Sequence, residues 1–188
     1  MLDERIEIRP IQPDDREALA DGLRRMSAES RYRRFFSPLD TLSEQQLTYL
    51  TEVDHHDHEA LVAAEAGTGQ GVGVARFVRS EDDPQVAELA VAVADDWQGQ
   101  GIGSELLHRL TERAREEGIK RFSGTVLEEN RPMRGLLAEL GEVRVIDRAA
   151  GTIDVEVELP DEGIGAALRE TLRAAARGLL EMRLPHRG

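Results

Sequence analysis

The chain has 188 residues, 40% of them hydrophobic, which is enough for one domain with a full core. Its formal charge of -13 and sequence pI near 4.9 argue against nucleic acid or an anionic membrane as partner, since both want a basic face; an acidic surface suits cationic amines, or serves solubility alone. No apolar run approaches the roughly 20 residues of a membrane span, Met1-Leu2-Asp3-Glu4-Arg5 has no signal-peptide core, and the absence of cysteine removes disulfides, a thiol nucleophile and thiolate metal sites together, so a soluble, cytoplasmic protein is expected.

Ile6 to Ile11 alternates as a short strand, and Pro13-Asp14-Asp15 punctuates it before a predicted helix from about Arg16 to Met26. A second helix, Glu29 to Phe36, carries arginines on one side and Tyr32, Phe35 and Phe36 on the other, and Ser37-Pro38 ends it. Ser43, followed by Glu44 and Gln46, is a capping pattern for a helix running to about Leu50. After a polar, histidine-rich turn come strands at Ala60 to Ala66, Gly71 to Arg79 and Val86 to Ala94, separated by Gly67-Thr68-Gly69-Gln70-Gly71 and Asp82-Asp83-Pro84. The pattern then changes to helix Ile102 to Glu117, strand Arg121 to Leu127, helix Arg131 to Leu140, strand Val143 to Arg148, and a hairpin partner, Thr152 to Leu159. In the last segment, Gly163 to Arg183, Ile164, Leu168, Leu172, Ala175, Leu179 and Met182 form a stripe at helical spacing. This predicts an extra amphipathic C-terminal helix, and hence a domain over 1–160 with an extension over 161–188. The stripe must bury itself; docking on its own domain is favoured over a homodimer.

The turn between the third of the grouped strands and the helix that follows reads Asp95-Asp96-Trp97-Gln98-Gly99-Gln100-Gly101-Ile102-Gly103-Ser104. The first N–H groups of a helix have no intrahelical partner and sit at the positive end of its dipole, so a phosphate is stabilised there, and glycines let the backbone approach it or take φ > 0. A Walker A loop is excluded because no lysine precedes Ser104. A dinucleotide fingerprint is disfavoured by the G-x-G-x-G spacing and by Ser123, Gly124 and Thr125 where that motif wants an acid.

Gln98-Gly99-Gln100-Gly101-Ile102-Gly103 resembles instead the Q/R-x-x-G-x-G/A signature of the GCN5-related N-acetyltransferases (GNAT), and Asn130, opening the helix through Met133, Leu136, Leu137 and Leu140, is similar to that family's asparagine-bearing helix. The resemblance implies an α/β (α+β) GNAT fold: a central mixed, twisted sheet of about six or seven strands flanked by helices. It implies acetyl-CoA as co-substrate and no metal. Gln98, Gly99, Gln100, Gly101, Ile102, Gly103 and Ser104 would hold the pyrophosphate and Asn130 would contact the cofactor from the far side. The pantetheine arm would lie along Val91, Ala92 and Val93 like a further strand, with a backbone N–H polarising the thioester carbonyl.

In Val86-Ala87-Glu88-Leu89-Ala90-Val91-Ala92-Val93, alternation puts Glu88, Ala90 and Ala92 on one face. Burial would raise the carboxyl pKa of Glu88 and make it a better proton acceptor. The family places a general base on this strand, so the resemblance implies that role for Glu88; the alternative is a solvated glutamate with no role. Many members carry a tyrosine acid seven residues after the asparagine, where this chain has Leu137, and the usual phenylalanine after the helix-ending glycine is Glu142. A thiolate of pKa about 8.5 can leave without a strong acid.

Ser30-Arg31-Tyr32-Arg33-Arg34-Phe35-Phe36, Leu42-Ser43, Leu50-Thr51, Val53-Asp54-His55 and Ala60-Leu61-Val62-Ala63 look like the acetyltransferase domain of bacterial protein lysine acetyltransferases, which are often fused to a regulatory module. None is read in this chain, so an unregulated or differently regulated relative is the expectation. A protein lysine is the leading acceptor; a small amine, or acetyl-CoA sensing with little turnover, are the alternatives. Lys120 is the sole lysine, which leaves little scope for self-acetylation. Asp54-His55-His56-Asp57-His58 has metal-ligating side chains, but neighbours in a loop seldom converge on one ion. A surface loop is expected there, with a histidine assisting deprotonation as the alternative.

Overall fold

The computed structural model describes residues 4–37 and 39–160. Seven strands, β1 (Ile6–Pro10), β2 (His58–Glu65), β3 (Gly71–Arg79), β4 (Val86–Val93), β5 (Arg121–Leu127), β6 (Glu142–Ala149) and β7 (Thr152–Glu158), form one sheet in the order β1-β2-β3-β4-β5-β7-β6. All neighbours are antiparallel except β4 and β5, which run parallel. Five helices accompany them: α1 (Arg16–Arg25), α2 (Ala28–Phe35), α3 (Glu44–Thr51), α4 (Ile102–Glu116) and α5 (Arg131–Leu140). Every one of these elements falls within two residues of its predicted bounds. The predicted C-terminal helix lies outside the described residues, and no helix among those described is long and apolar enough to cross a membrane.

The core sits under α4. Ile102, Leu106, Leu107, Leu110 and Ala114 recur at helical spacing and are all buried, packed with Leu61 and Ala63 of β2, Ala75 and Phe77 of β3 and Phe122 of β5. Glu59 through Ala64 are buried without a break, as a strand covered on both faces requires. On the α1 side the packing is close: a Cβ at Gly71 would lie 2.9 Å from the carbonyl oxygen of Ala18, so glycine lets the helix settle on β3. Ser43 caps α3 as the sequence predicts, its hydroxyl accepting from Gln46 N while the Gln46 side chain accepts from Ser43 N at 2.8 Å.

Candidate active site

The parallel pair is where the sheet opens. β4 and β5 are in register only over Val86–Arg121, Ala87–Phe122 and Glu88–Ser123. Beyond this point β4 continues against β3 as far as Val93 and β5 continues against β7 as far as Leu127, so the two strands diverge and the backbone of Leu89 to Val93 has a partner on one side only. Gly124 sits at the apex, where a Cβ would come within 3.4 Å of the carbonyl oxygen of Leu89. Unpaired strand backbone offers a ladder of donors and acceptors to an extended chain.

This opening leads to the glycine loop. Gly99 (φ 73°) and Gly101 (φ 81°) are in the left-handed region, Gly101 as the N-cap of α4. Gly103 serves packing instead: its Cβ would lie 3.3 Å from Leu136, so glycine lets α5 approach the start of α4. Asn130 caps α5, its Oδ1 accepting from Met133 N at 3.2 Å. Ser104 Oγ donates to Glu139 at 2.6 Å and ties the two helices together beside the loop.

Splay, loop and helices enclose a cavity of about 670 Å³. Glu88, Val91, Ala92, Val93, Gln98, Gly99, Gly101, Gly103, Ser104 and Asn130 all line it. Two residues expected there do not. Gln100 is exposed and its amide donates to Asp96 O at 2.9 Å, while Ile102 is buried in the core, so only its backbone serves the helix end. The expected burial of Glu88 is also absent. Its side chain projects from the face that the cavity keeps open, and it is exposed.

The third wall comes from α2, whose part the sequence concealed. Ser27 caps this helix, its hydroxyl accepting from Ser30 N at 3.1 Å, and donates its own N–H to Asp95 at 2.9 Å; Gln98 reaches Ser30 Oγ at 3.3 Å, Val93 O at 3.1 Å and Asp95 at 3.1 Å. These bonds fasten α2 to the glycine loop and bring Arg33 and Arg34 to the cavity. Burial pushes the Arg34 guanidinium down from its ordinary value, and the facing Glu88 carboxylate opposes that shift. Arg34, Met26 and Ala92 also border a second, apolar cavity of about 80 Å³ reaching toward buried Arg76, which donates to Leu50 O at 3.3 and 3.2 Å and to His58 Nε2 at 3.1 Å. Leu137 is buried at the position seven residues after Asn130, and among the described residues no tyrosine, histidine or lysine lines the larger cavity.

The histidine-rich turn lies elsewhere. His55 Nδ1 meets buried Glu59 at 2.7 Å, His56 pairs with Glu117, and burial with the neighbouring Arg76 charge holds His58 at about 4. None borders the larger cavity, which removes the turn from any part in deprotonation there.

Residues 5–143 match the family described as an acetyltransferase (GNAT) domain. The chain is 39% identical over 153 residues to Acetyltransferase Pat of Mycolicibacterium smegmatis, a match covering 81% of this chain and 45% of that protein, so it spans less than half of this relative's length. It is 33% identical over 138 residues to Acetyltransferase PA5475 of Pseudomonas aeruginosa, covering 72% and 74% of the two chains. The GNAT domain of S. lividans PAT superposes with a TM-score of 0.75 at 31% identity, covering 82% of this chain and 90% of that one. With the split parallel pair, the glycine loop at its mouth and the matching family all on one stretch of sequence, the chain belongs to the GNAT acetyltransferases.

Proposed function

We propose that this chain transfers the acetyl group of acetyl-CoA directly to a primary amine, and that the amine is a protein lysine side chain. The observation that carries the reading is the divergence of β4 from β5 after Glu88, which leaves strand backbone open beside a glycine loop at a helix N-terminus. Those two features suit the two halves of the donor: an amide-bearing arm that pairs with Leu89 to Val93, and a pyrophosphate received by the N–H groups of Gln98 to Gly103.

Glu88 forms the last β4–β5 pair and so stands at the split, whereas Glu139, the other carboxylate lining the cavity, is held by Ser104. In this reading Glu88 receives the proton of the attacking amine, through water given its exposure, and a backbone N–H of β4 polarises the thioester carbonyl. With Leu137 at the asparagine-bearing helix, the thiol leaves as thiolate. The lysine assignment draws on the resemblance of residues 30–36 and 50–63 to bacterial protein lysine acetyltransferases.

Release of free thiol from acetyl-CoA, measured with lysine peptides, with small amines and with no acceptor, tests the reading. Release with peptides is expected. Release with small amines alone would transfer the assignment to them, and tight acetyl-CoA binding without release under any condition would make the chain a sensor.

A further inference from the structure

The arginines of α2 differ in what they are doing. Arg33 is paired with Glu29 one turn earlier, and Arg31 reaches Asp40 at 3.1 Å. Arg76, the other guanidinium in this region, is buried and engaged by Leu50 and His58. Arg34 alone among them lines the large cavity with no hydrogen-bond or ion-pair partner within 4 Å among the described residues; it lies over the Phe35 ring, 5.0 Å away, and feels the fields of Glu88 across the cleft and of the like-charged Arg76. Yet α2 is held firmly, by the Ser27–Asp95 and Ser30–Gln98 bonds, so the guanidinium is positioned rather than trailing in solvent.

A half-buried guanidinium gains from an anion that satisfies its fork of donors. Glu88 is too far to do so directly, and the ammonium of an acceptor approaching Glu88 would be repelled by Arg34. A cleft with one negative and one positive wall is complementary to an acceptor that carries both charges in the same order. The overall charge of -13 works against acidic partners at long range, so this preference must be made locally.

We propose that Arg34 selects the acceptor by receiving a carboxylate carried close to the reacting amine, so that the preferred acceptor is a lysine flanked by Asp or Glu. This rests on the acetyl-transfer reading above and deepens it.

The test compares kcat/KM, by thiol release at saturating acetyl-CoA, for lysine peptides whose flanking residue is Glu, Gln or Lys. The wild-type chain is expected to favour the Glu peptide over the Gln peptide by about tenfold, the effect of one charge-assisted hydrogen bond, and to use the Lys-flanked peptide least. Arg34→Gln should bring the Glu-to-Gln ratio to about one, and Arg34→Lys should keep part of it, since a point charge replaces a fork. A wild-type enzyme that turns over all three peptides equally would overturn the inference while leaving acetyl transfer intact; one that turns over none of them would overturn the lysine-acceptor reading on which the inference rests. If Arg34→Gln instead raises KM for acetyl-CoA alike with every peptide and keeps the ratio, Arg34 serves the donor and the inference falls. Should that variant fail to fold, the wild-type ratio and Arg34→Lys decide.

Discussion

Glu88 and Arg34 illustrate how one side chain's meaning depends on what another element brings to it. In sequence, Glu88 is a carboxylate interrupting an apolar strand, and alternation correctly separates its face from that of Leu89 and Val91. The burial inferred from that pattern fails because β5 diverges at this residue and leaves the face open. As a base it therefore relies on position. Glu88→Gln is expected to lower kcat/KM by about a hundredfold to ten-thousandfold and to flatten its acidic limb; a pH–rate profile unchanged from wild type would remove the base assignment. His58 makes a prediction of opposite kind, for stability. Burial, then Arg76, hold it at about 4 against an ordinary 6.5, although Asp54, which accepts three backbone N–H bonds, and Glu59 both pull the other way. The unfolded chain therefore binds a proton that the folded chain refuses between those values. At pH 7 both forms are neutral and nothing is lost, whereas stability falls by about 2 kcal/mol as pH drops from 6.5 to 4. Denaturant melts of His58→Gln over that range should show a shallower dependence than wild type.

The strand, loop and helix from Val86 to Glu116 were legible because each leaves a strong local mark: alternation, a glycine cluster, then apolar residues at helical spacing. What could not be read was the split, since Arg121 to Leu127 looks like any strand and only its pairing, three residues with β4 and seven with β7, reveals the opening. The α2 wall was hidden for a related reason: its arginines appear as a polar face, and the bonds from Asp95 and Gln98 that turn them to the cavity join residues 68 positions apart. Two glycines test the element-level account. Gly101→Ala forces a Cβ into φ 81° at the helix cap without meeting any neighbour, so it should cost about 1 kcal/mol in stability and raise KM for acetyl-CoA. At Gly141, between α5 and β6, φ is 168° and poses no difficulty, but an added Cβ would collide with the carbonyl oxygen of Glu158. Gly141→Ala should therefore destabilise by about 2–4 kcal/mol through the β6–β7 hairpin, read as a fall in the urea midpoint with a smaller effect on acetyl-CoA affinity.

At the scale of the molecule, an acidic chain binds an anionic donor, which is possible only if the donor site is locally isolated from the total charge. The site meets that need with uncharged groups, the N–H donors of a helix end and of an open strand. The family match covers residues 5–143, which include strand, loop and α2. The central claim is that the split between β4 and β5, together with the glycine loop, is where the donor binds. Amide hydrogen exchange with and without acetyl-CoA tests it most directly. The account predicts new protection concentrated at Leu89 to Val93 and Gln98 to Ser104, with β1 and β2 unchanged; protection confined to other elements, or none at saturating acetyl-CoA, would contradict it.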